Sequence, residues 1–342
     1  MNGEKWLSLQ HSVQYSSAIL AVLMNGYQIF LITHKSPKTL VPYKYLIAYT
    51  SLFEILYTFF EVISSPIFYT YDSALIMLID TRKAIFNPFI MSIFNSLYCG
   101  TFGAVLGLFS IQFIYRYLNT KKSRYLSSFK SWKIIFWCLI PFFSGSSWSL
   151  VVHFLASKDD SKDQYIRKNI RNDLNENIND IIYSGILIYI EDQNGVRHPH
   201  WISIFVDIFI IISLLISLAI IIYCGVFCYR EVRQISKISK SKRTQSLQTQ
   251  LFYALVVQTL IPLFLLHLPV STVFLLVLFE KNIGIYGGII TMTIAIYPAI
   301  DPIPNFIIIK DYRKTTKSYI NRLLLRNEQP KSENVKLPKL KF

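Results

Sequence analysis

Residues 202–228 read ISIFVDIFIIISLLISLAIIIYCGVFC, twenty-seven positions with one charged side chain, Asp207. About 20 apolar residues in helical form cross the roughly 30 Å of hydrocarbon in a bilayer, so this run is long enough to span one. Six more runs of the same character lie at about 12–33, 45–68, 89–115, 133–156, 251–279 and 285–309. Backbone groups in lipid must pair within their own segment, and none of the runs alternates as a barrel strand would, so all seven are read as helices. The sequence therefore predicts an all-α membrane protein: a seven-transmembrane helix bundle forming one domain over 1–326, with a flexible tail from 327 to 342. The first run follows a polar segment and is long enough to anchor itself, so no cleavable signal peptide is expected.

The chain carries 35 Lys and Arg against 20 Asp and Glu, a formal charge of +15. In a water-soluble protein that balance would suggest nucleic acid. Here 52% of residues are apolar, and the charge is explained by position instead. Segments 34–44, 116–133, 229–250 and 310–342 hold 25 of the 35 basic residues and few acids, whereas 1–11, 72–88, 157–201 and 280–284 hold ten basic residues and twelve acids. The two sets alternate along all seven runs. The basic set is the cytoplasmic side, which places the N-terminus outside and the C-terminus inside. No Lys or Arg lies in the interior of a run; the acids Glu54, Glu61, Asp207 and Asp301 lie inside the runs or at their edges. Carboxyls at membrane depth face the bundle interior, so with Pro302 these four are expected to form an intramembrane polar core. The absence of an intramembrane Lys excludes a Schiff-base retinal protein.

In the third run, Ser92, Asn95, Ser96, Cys99, Gly100, Gly103, Gly107 and Ser110 recur at spacings of three and four, which makes that face the buried one. In the second, Ser51, Glu54, Thr58, Glu61 and Ser65 repeat the pattern. The seventh carries Thr293, Tyr297, Asp301 and Asn305 among Pro298, Pro302 and Pro304, and Pro141, Pro262 and Pro269 interrupt the fourth and sixth, so these helices have places to bend. A ligand pocket in the outer half of the bundle is expected beside Asn95, Cys99, Trp148, His153, His267 and Tyr297. In the loop 157–201, Ile166, Ile170, Leu174 and Ile178 stand four apart, the pattern of an amphipathic helix lying over the bundle. The run 181–190 with the Asn194-Gly195 turn suggests a hairpin. Inside, Tyr312, Tyr319, Ile320, Leu323 and Leu324 alternate with Arg313, Lys314, Lys317 and Arg322, a basic amphipathic helix over about 311–325 suited to lipid headgroups. Cys99, Cys138, Cys224 and Cys228 lie in apolar stretches, so no extracellular disulfide is expected. No nucleophile elbow, phosphate loop or His/Glu metal spacing occurs; neither enzymatic activity nor a cofactor is expected.

Tyr43-Lys44-Tyr45-Leu46, Tyr98-Cys99, Tyr115-Arg116-Tyr117, Asn194-Gly195-Val196-Arg197-His198, Leu260-Ile261-Pro262, Tyr297-Pro298 with Asp301-Pro302, and Ile309-Lys310-Asp311-Tyr312-Arg313 follow one another along nearly the whole chain. In that order the set resembles the nematode seven-transmembrane chemoreceptors of the Str (serpentine receptor class r) family. The resemblance implies a G-protein-coupled olfactory receptor in the plasma membrane of a chemosensory cilium, with a small odorant and a heterotrimeric G protein as partners. It makes Tyr115-Arg116-Tyr117 the counterpart of the acidic-Arg-Tyr motif of rhodopsin-like receptors, with Tyr in place of the acid that forms their ionic lock. Asp301-Pro302 then matches their Asn-Pro motif, and the cysteine that would pair the outer loop to the third helix is absent from 157–201. Arg116, Tyr117, Arg230, Lys310 and Arg313 fall on the side that a G protein would meet. The competing classes are a ligand-gated channel and a small-solute transporter. Insect-type odorant channels have the opposite orientation, and the internal repeats of many transporters are missing here.

Overall fold

The computed structural model describes residues 3–35, 43–129, 132–174, 176–191, 195–238, 253–254 and 256–327. Helices α1 (Gly3–Lys35), α2 (Tyr43–Ser64), α3 (Pro88–Thr120), α4 (Ile134–Leu155), α6 (Trp201–Ile238) and α7 (Val256–Leu278) are long and apolar enough to cross a bilayer. The seventh crossing is Ile285–Ile308, built from α8 (Gly288–Ile300) and α9 (Ile303–Ile308). It turns by 101° into α10 (Lys310–Asn327). The molecule is an all-α seven-helix bundle. The inner amphipathic helix expected over 311–325 is α10, with Tyr312 buried beneath it and Lys314 and Lys317 exposed. Residues 328–342, where a flexible tail was expected, lie outside the described residues, as does 239–252 in the basic inner loop.

α3 is the axis, with every residue from Gly100 to Phe113 buried. It meets α4 along a seam of small residues. A Cβ on Gly100 would stand 2.7 Å from the Gly145 carbonyl, one on Gly145 would stand 2.8 Å from the Gly100 carbonyl, and Gly107 faces Pro141. Ser144 donates to the Gly103 carbonyl at 2.8 Å and Ser149 to the Ser96 carbonyl at 3.0 Å. Small residues let the backbones close, and hydroxyls then bridge them; in lipid, contact of this kind replaces hydrophobic association. In α7, Pro262 opens a π-turn over Leu263–His267, the local consequence of a residue that cannot donate to the helical ladder.

The outer side carries an element that the hydropathy reading missed. The second run ends at Ser64, four residues before the expected 68, because Pro66 disfavours helical backbone at the residue before it, and Ser65 takes φ 39°. The chain then forms β1 (Ile67–Tyr71) and β2 (Ala74–Asp80), turning at Asp72-Ser73. The segment 72–88, read as a plain polar loop, thus supplies a strand. β3 (Ile181–Leu187) pairs antiparallel with β2, Ile76 opposite Gly185, completing a sheet ordered β1-β2-β3. The hairpin expected within 181–190 is corrected accordingly: 181–187 joins the sheet, and the hairpin consists of β4 (Tyr189–Glu191) and β5 (Arg197–Pro199). Residues alternate across the strands. Ile67, Tyr69, Ala74, Ile76, Leu78, Ile181, Tyr183 and Leu187 face outward against Ile166, Ile170 and Leu174 of α5 (Asp160–Leu174) and Ile178, whereas Phe68, Leu75, Met77 and Ile186 face the bundle. Helix α5 and the sheet form a two-layer lid over the outer helix ends.

Candidate functional site

A cavity lies directly beneath the lid, and the surface it presents is apolar. Its roof is Phe68, Leu75, Met77, Ser184, Gly185 and Ile186 of the sheet. The walls come from six of the seven spans: Tyr57 of α2, Tyr98, Cys99 and Phe102 of α3, Trp148 and Val152 of α4, Val206 and Ile210 of α6, Val270 and Phe274 of α7, and Ile294 of α8. Trp148 packs directly against Gly103, which has no Cβ to displace its ring, and Phe102 packs against it at 5.3 Å between centroids. Tyr57 and Tyr98 stack at 5.4 Å, and Cys99 Sγ approaches Met77 Sδ at 3.9 Å, joining wall to roof.

Two of the six expected pocket residues, Cys99 and Trp148, lie on this wall. The other four lie elsewhere. Asn95 is one layer behind, donating to Ser184 Oγ at 3.1 Å and thereby fastening α3 to the lid. His153 sits 3.2 Å from Ser96 Oγ in the α3–α4 seam. His267 belongs to the π-turn, its Nδ1 3.3 Å from the Pro262 carbonyl. Tyr297 lies deeper and donates to Glu54 Oε1 at 3.0 Å. The reason is chemical: these polar residues are consumed by hydrogen bonds within the fold, and much of the cavity wall is Val, Ile and Phe side chains that carry no distinguishing sequence signal.

Below the cavity the core is polar and solid. Glu54 and Asp301 are both 1% exposed; Asp301 accepts from Gln258 Nε2 through its carbonyl at 3.2 Å, and Pro302 is buried where α8 gives way to α9. Glu61 is buried higher on the same face of α2, and Asp207 is buried on α6 next to Val206 of the cavity wall. Asn25 donates to the Pro298 carbonyl at 2.9 Å, Gln28 to Ser51 Oγ at 2.8 Å, and Asn305 to Gln28 Oε1 at 2.8 Å. The α1 residues Gln10, Gln14, Ser17, Asn25 and Gln28 line one buried face of that helix. Their spacing of three, four or eight is the sequence signal of that face.

At the inner end Arg116 is 2% exposed, with its guanidinium carbon 3.8 Å above the Tyr43 ring, and Tyr43 stacks on Tyr115 at 5.4 Å. Tyr117 rests edge-on against Phe227 at 4.7 Å. Arg230, Lys310 and Arg313 are exposed on this side, Arg313 donating to the Ile307 carbonyl at 3.2 Å. All four cysteines are free thiols.

The lid is fastened by charges. Lys162, 1% exposed, donates to the Ser157 carbonyl at 2.8 Å and pairs with Asp159 at 2.9 Å. Burial opposes ionisation of Asp159, but the Lys162 backbone N–H and ammonium outweigh it and hold the carboxyl below its ordinary range. Tyr183 donates to Asp163 at 2.6 Å and Tyr69 to Asp173 at 2.7 Å, and burial with the facing carboxylate raises both phenols. Arg197 of β5 reaches Glu280 at 2.8 Å beyond α7.

Residues 10–317 match the family model for the serpentine type 7TM GPCR chemoreceptor Str. The chain is 30% identical to the Caenorhabditis elegans G-protein coupled receptor str-217, over 90% of this chain and 88% of that protein. It is 28% identical to serpentine receptor class r-10 of the same organism, over 94% and 93%, and 25% identical to its G-protein coupled receptor str-33, over 89% of each. A family match across nearly the whole chain, on a seven-helix bundle with an apolar outer cavity, makes this protein a member of the serpentine type 7TM chemoreceptor Str family.

Proposed function

We propose that the chain is an olfactory receptor of the plasma membrane that binds a small, mainly apolar odorant in the cavity beneath the lid and signals to a heterotrimeric G protein from its inner face. The observation that carries this reading is that one apolar cavity touches six spans at once. A molecule filling it gains contact with every wall, so it favours whichever packing of the helices fits it best, and a ligand shifts an equilibrium only through such differential affinity. α7 and the seventh span have built-in places to change packing, the π-turn after Pro262 and the break between Ile300 and Ile303. Arg116 and the exposed Arg230, Lys310 and Arg313 give the inner side the charge and donors that meet a G protein. Family membership supports a sensory cilium as the site of action.

The test is expression in a reporter cell, screened with a panel of volatile ketones, alcohols and esters. A dose-dependent signal is expected that disappears when the G protein is removed. A ligand-evoked current that persists without any G protein would replace this reading with a channel.

A further inference from the structure

Glu54 of α2 and Asp301 at the end of α8 face each other in the middle of the bundle, each within hydrogen-bonding reach of the other. One oxygen of each has a donor: Tyr297 Oη gives to Glu54 Oε1 at 3.0 Å, and Gln258 Nε2 approaches Asp301 Oδ2 at 3.4 Å. The remaining oxygens, Glu54 Oε2 and Asp301 Oδ1, are buried and no donor reaches either. The groups packed around them are neutral. They are Tyr297 on α8 with Tyr57 of α2 behind it, Gln258 from α7, Asn25 from α1, whose Oδ1 is likewise without a donor, and Phe109 from α3 against the Tyr297 ring at 6.2 Å. Among the described residues no Lys, Arg or His acts on the pair.

Two carboxylates cannot face each other bare in such a place. Each is a pure acceptor, and like charges at hydrogen-bond distance in a dry interior drive a proton onto one of them. We propose that Glu54 and Asp301 hold a single proton between them, and that this carboxyl–carboxylate hydrogen bond is the tie between the second and seventh spans in this packing. The shared proton turns a repulsive contact into a charge-assisted hydrogen bond, the strong kind. It leaves one net negative charge, which the Tyr297 hydroxyl and the Gln258 amide stabilise. The tie lies next to Pro298 and Pro302, where the seventh span bends, so removing or adding a proton would act directly on that bend. The inference concerns the packing of the two spans and does not depend on the ligand or on coupling to a G protein.

The experiment is infrared spectroscopy of the purified full chain in lipid nanodiscs at neutral pH, following the C=O stretch of protonated carboxylic acids. Wild type is compared with E54Q, D301N and the double variant. In either single variant an amide N–H replaces the shared proton and the remaining carboxyl ionises. Each single variant is therefore expected to lose the same band, and the double variant to lose nothing further; signals from Glu61 and Asp207 stay in all four. Two distinct bands lost one by one would show two separately protonated acids and overturn the proposal. So would no loss in either variant, whether or not the melting temperature then rises with sodium, since both carboxyls would be ionised. Should a variant fail to assemble, alkaline titration of the E61Q/D207N receptor, in which Glu54 and Asp301 are the intramembrane acids that remain, decides: the shared proton leaves as one band in one step, and two steps overturn the assignment.

Discussion

The two halves of the bundle are built on opposite rules. The outer half encloses space: its walls are apolar, and its roof is a β-sheet fastened by hydrogen bonds and ion pairs. The inner half is filled with side chains. Polar side chains fill it from Gln28 and Ser51 through Glu54, Tyr297 and Asp301, and an aromatic floor of Tyr43, Tyr115, Phe129 and Trp137 closes it around Arg116. A cavity can be filled by many molecules of suitable shape, whereas a hydrogen-bonded core has few alternative arrangements. The division places selectivity in the outer half and the two-state equilibrium in the inner half, with α3 passing through both.

The largest effect is expected where the halves share a seam. Gly100→Val places side-chain atoms against the Gly145 carbonyl, which is backbone and cannot move aside. Overpacking of a close helix contact costs about 1–3 kcal/mol or more, enough to keep a marginally stable receptor off the surface. Gly26→Ala meets nothing within 4 Å and gains helix propensity of about 1 kcal/mol, so its surface staining should equal wild type or exceed it. Equal staining of the two variants would mean that the α3–α4 seam does not hold the bundle together.

The next expectation separates the cavity from its surroundings. Cys99→Phe projects a ring into the space under Met77, and should reduce agonist potency by about 100-fold or more, the effect of losing about 3 kcal/mol of ligand contact, with surface level unchanged. Asn95→Ala acts differently. It removes the bond to Ser184 and leaves the wall intact, so it should lower stability by about 1 kcal/mol and leave ligand selectivity alone. If Asn95→Ala changes which odorants act while Cys99→Phe does not, the cavity is not the binding site.

In the inner half the comparison turns on Arg116. A desolvated cation–π contact is worth about 2 kcal/mol, so Tyr43→Leu should bias the equilibrium roughly thirtyfold toward the state in which Arg116 is released, read as raised basal signalling. Arg116→Ala should instead silence the receptor while sparing trafficking and ligand binding. A fully signalling Arg116→Ala receptor would remove Arg116 from the G-protein surface, and an unchanged basal level in Tyr43→Leu would remove Tyr43 from the resting latch.

Much of this architecture is legible in the sequence, and the illegible part has physical causes. Span length and the sidedness of Lys and Arg fix the crossings, since both follow from transfer into lipid. Ala74–Asp80 is a central strand buried on both faces, so it shows no alternation and reads as an ordinary apolar stretch, and its partner Ile181–Leu187 lies a hundred residues away. The cavity wall is equally silent. Cys99 stood out by its place among the glycines of α3, whereas Ile294 or Phe274 is indistinguishable from any lipid-facing neighbour until the helices are assembled.

The smallest effect concerns the lid, the part of the outer half that titrates in water. His200 stands at the start of α6 with Nδ1 2.7 Å from Ser203 Oγ; burial first, and then the charge of Lys162, lower its pKa from 6.5. The folded lid therefore prefers neutral His200: its contribution is complete above pH 6.5 and declines as the pH falls from there toward the lowered value. Asp159 carries the opposite charge but the same sign of pH dependence. Its carboxyl is held below 3.8, so its contribution is complete above that value and is lost as the pH falls further. Acid should loosen the lid in two steps, the first between neutrality and mild acid, the second below about pH 4. Hydrogen exchange of the α5 amides, corrected for the intrinsic rate at each pH, reads this directly. His200→Gln should abolish the first step and keep the second, because Gln does not titrate while Asp159 and Lys162 stay in place. The same two-step profile in that variant would transfer the first step to another group and leave His200 a hydrogen-bonding residue only.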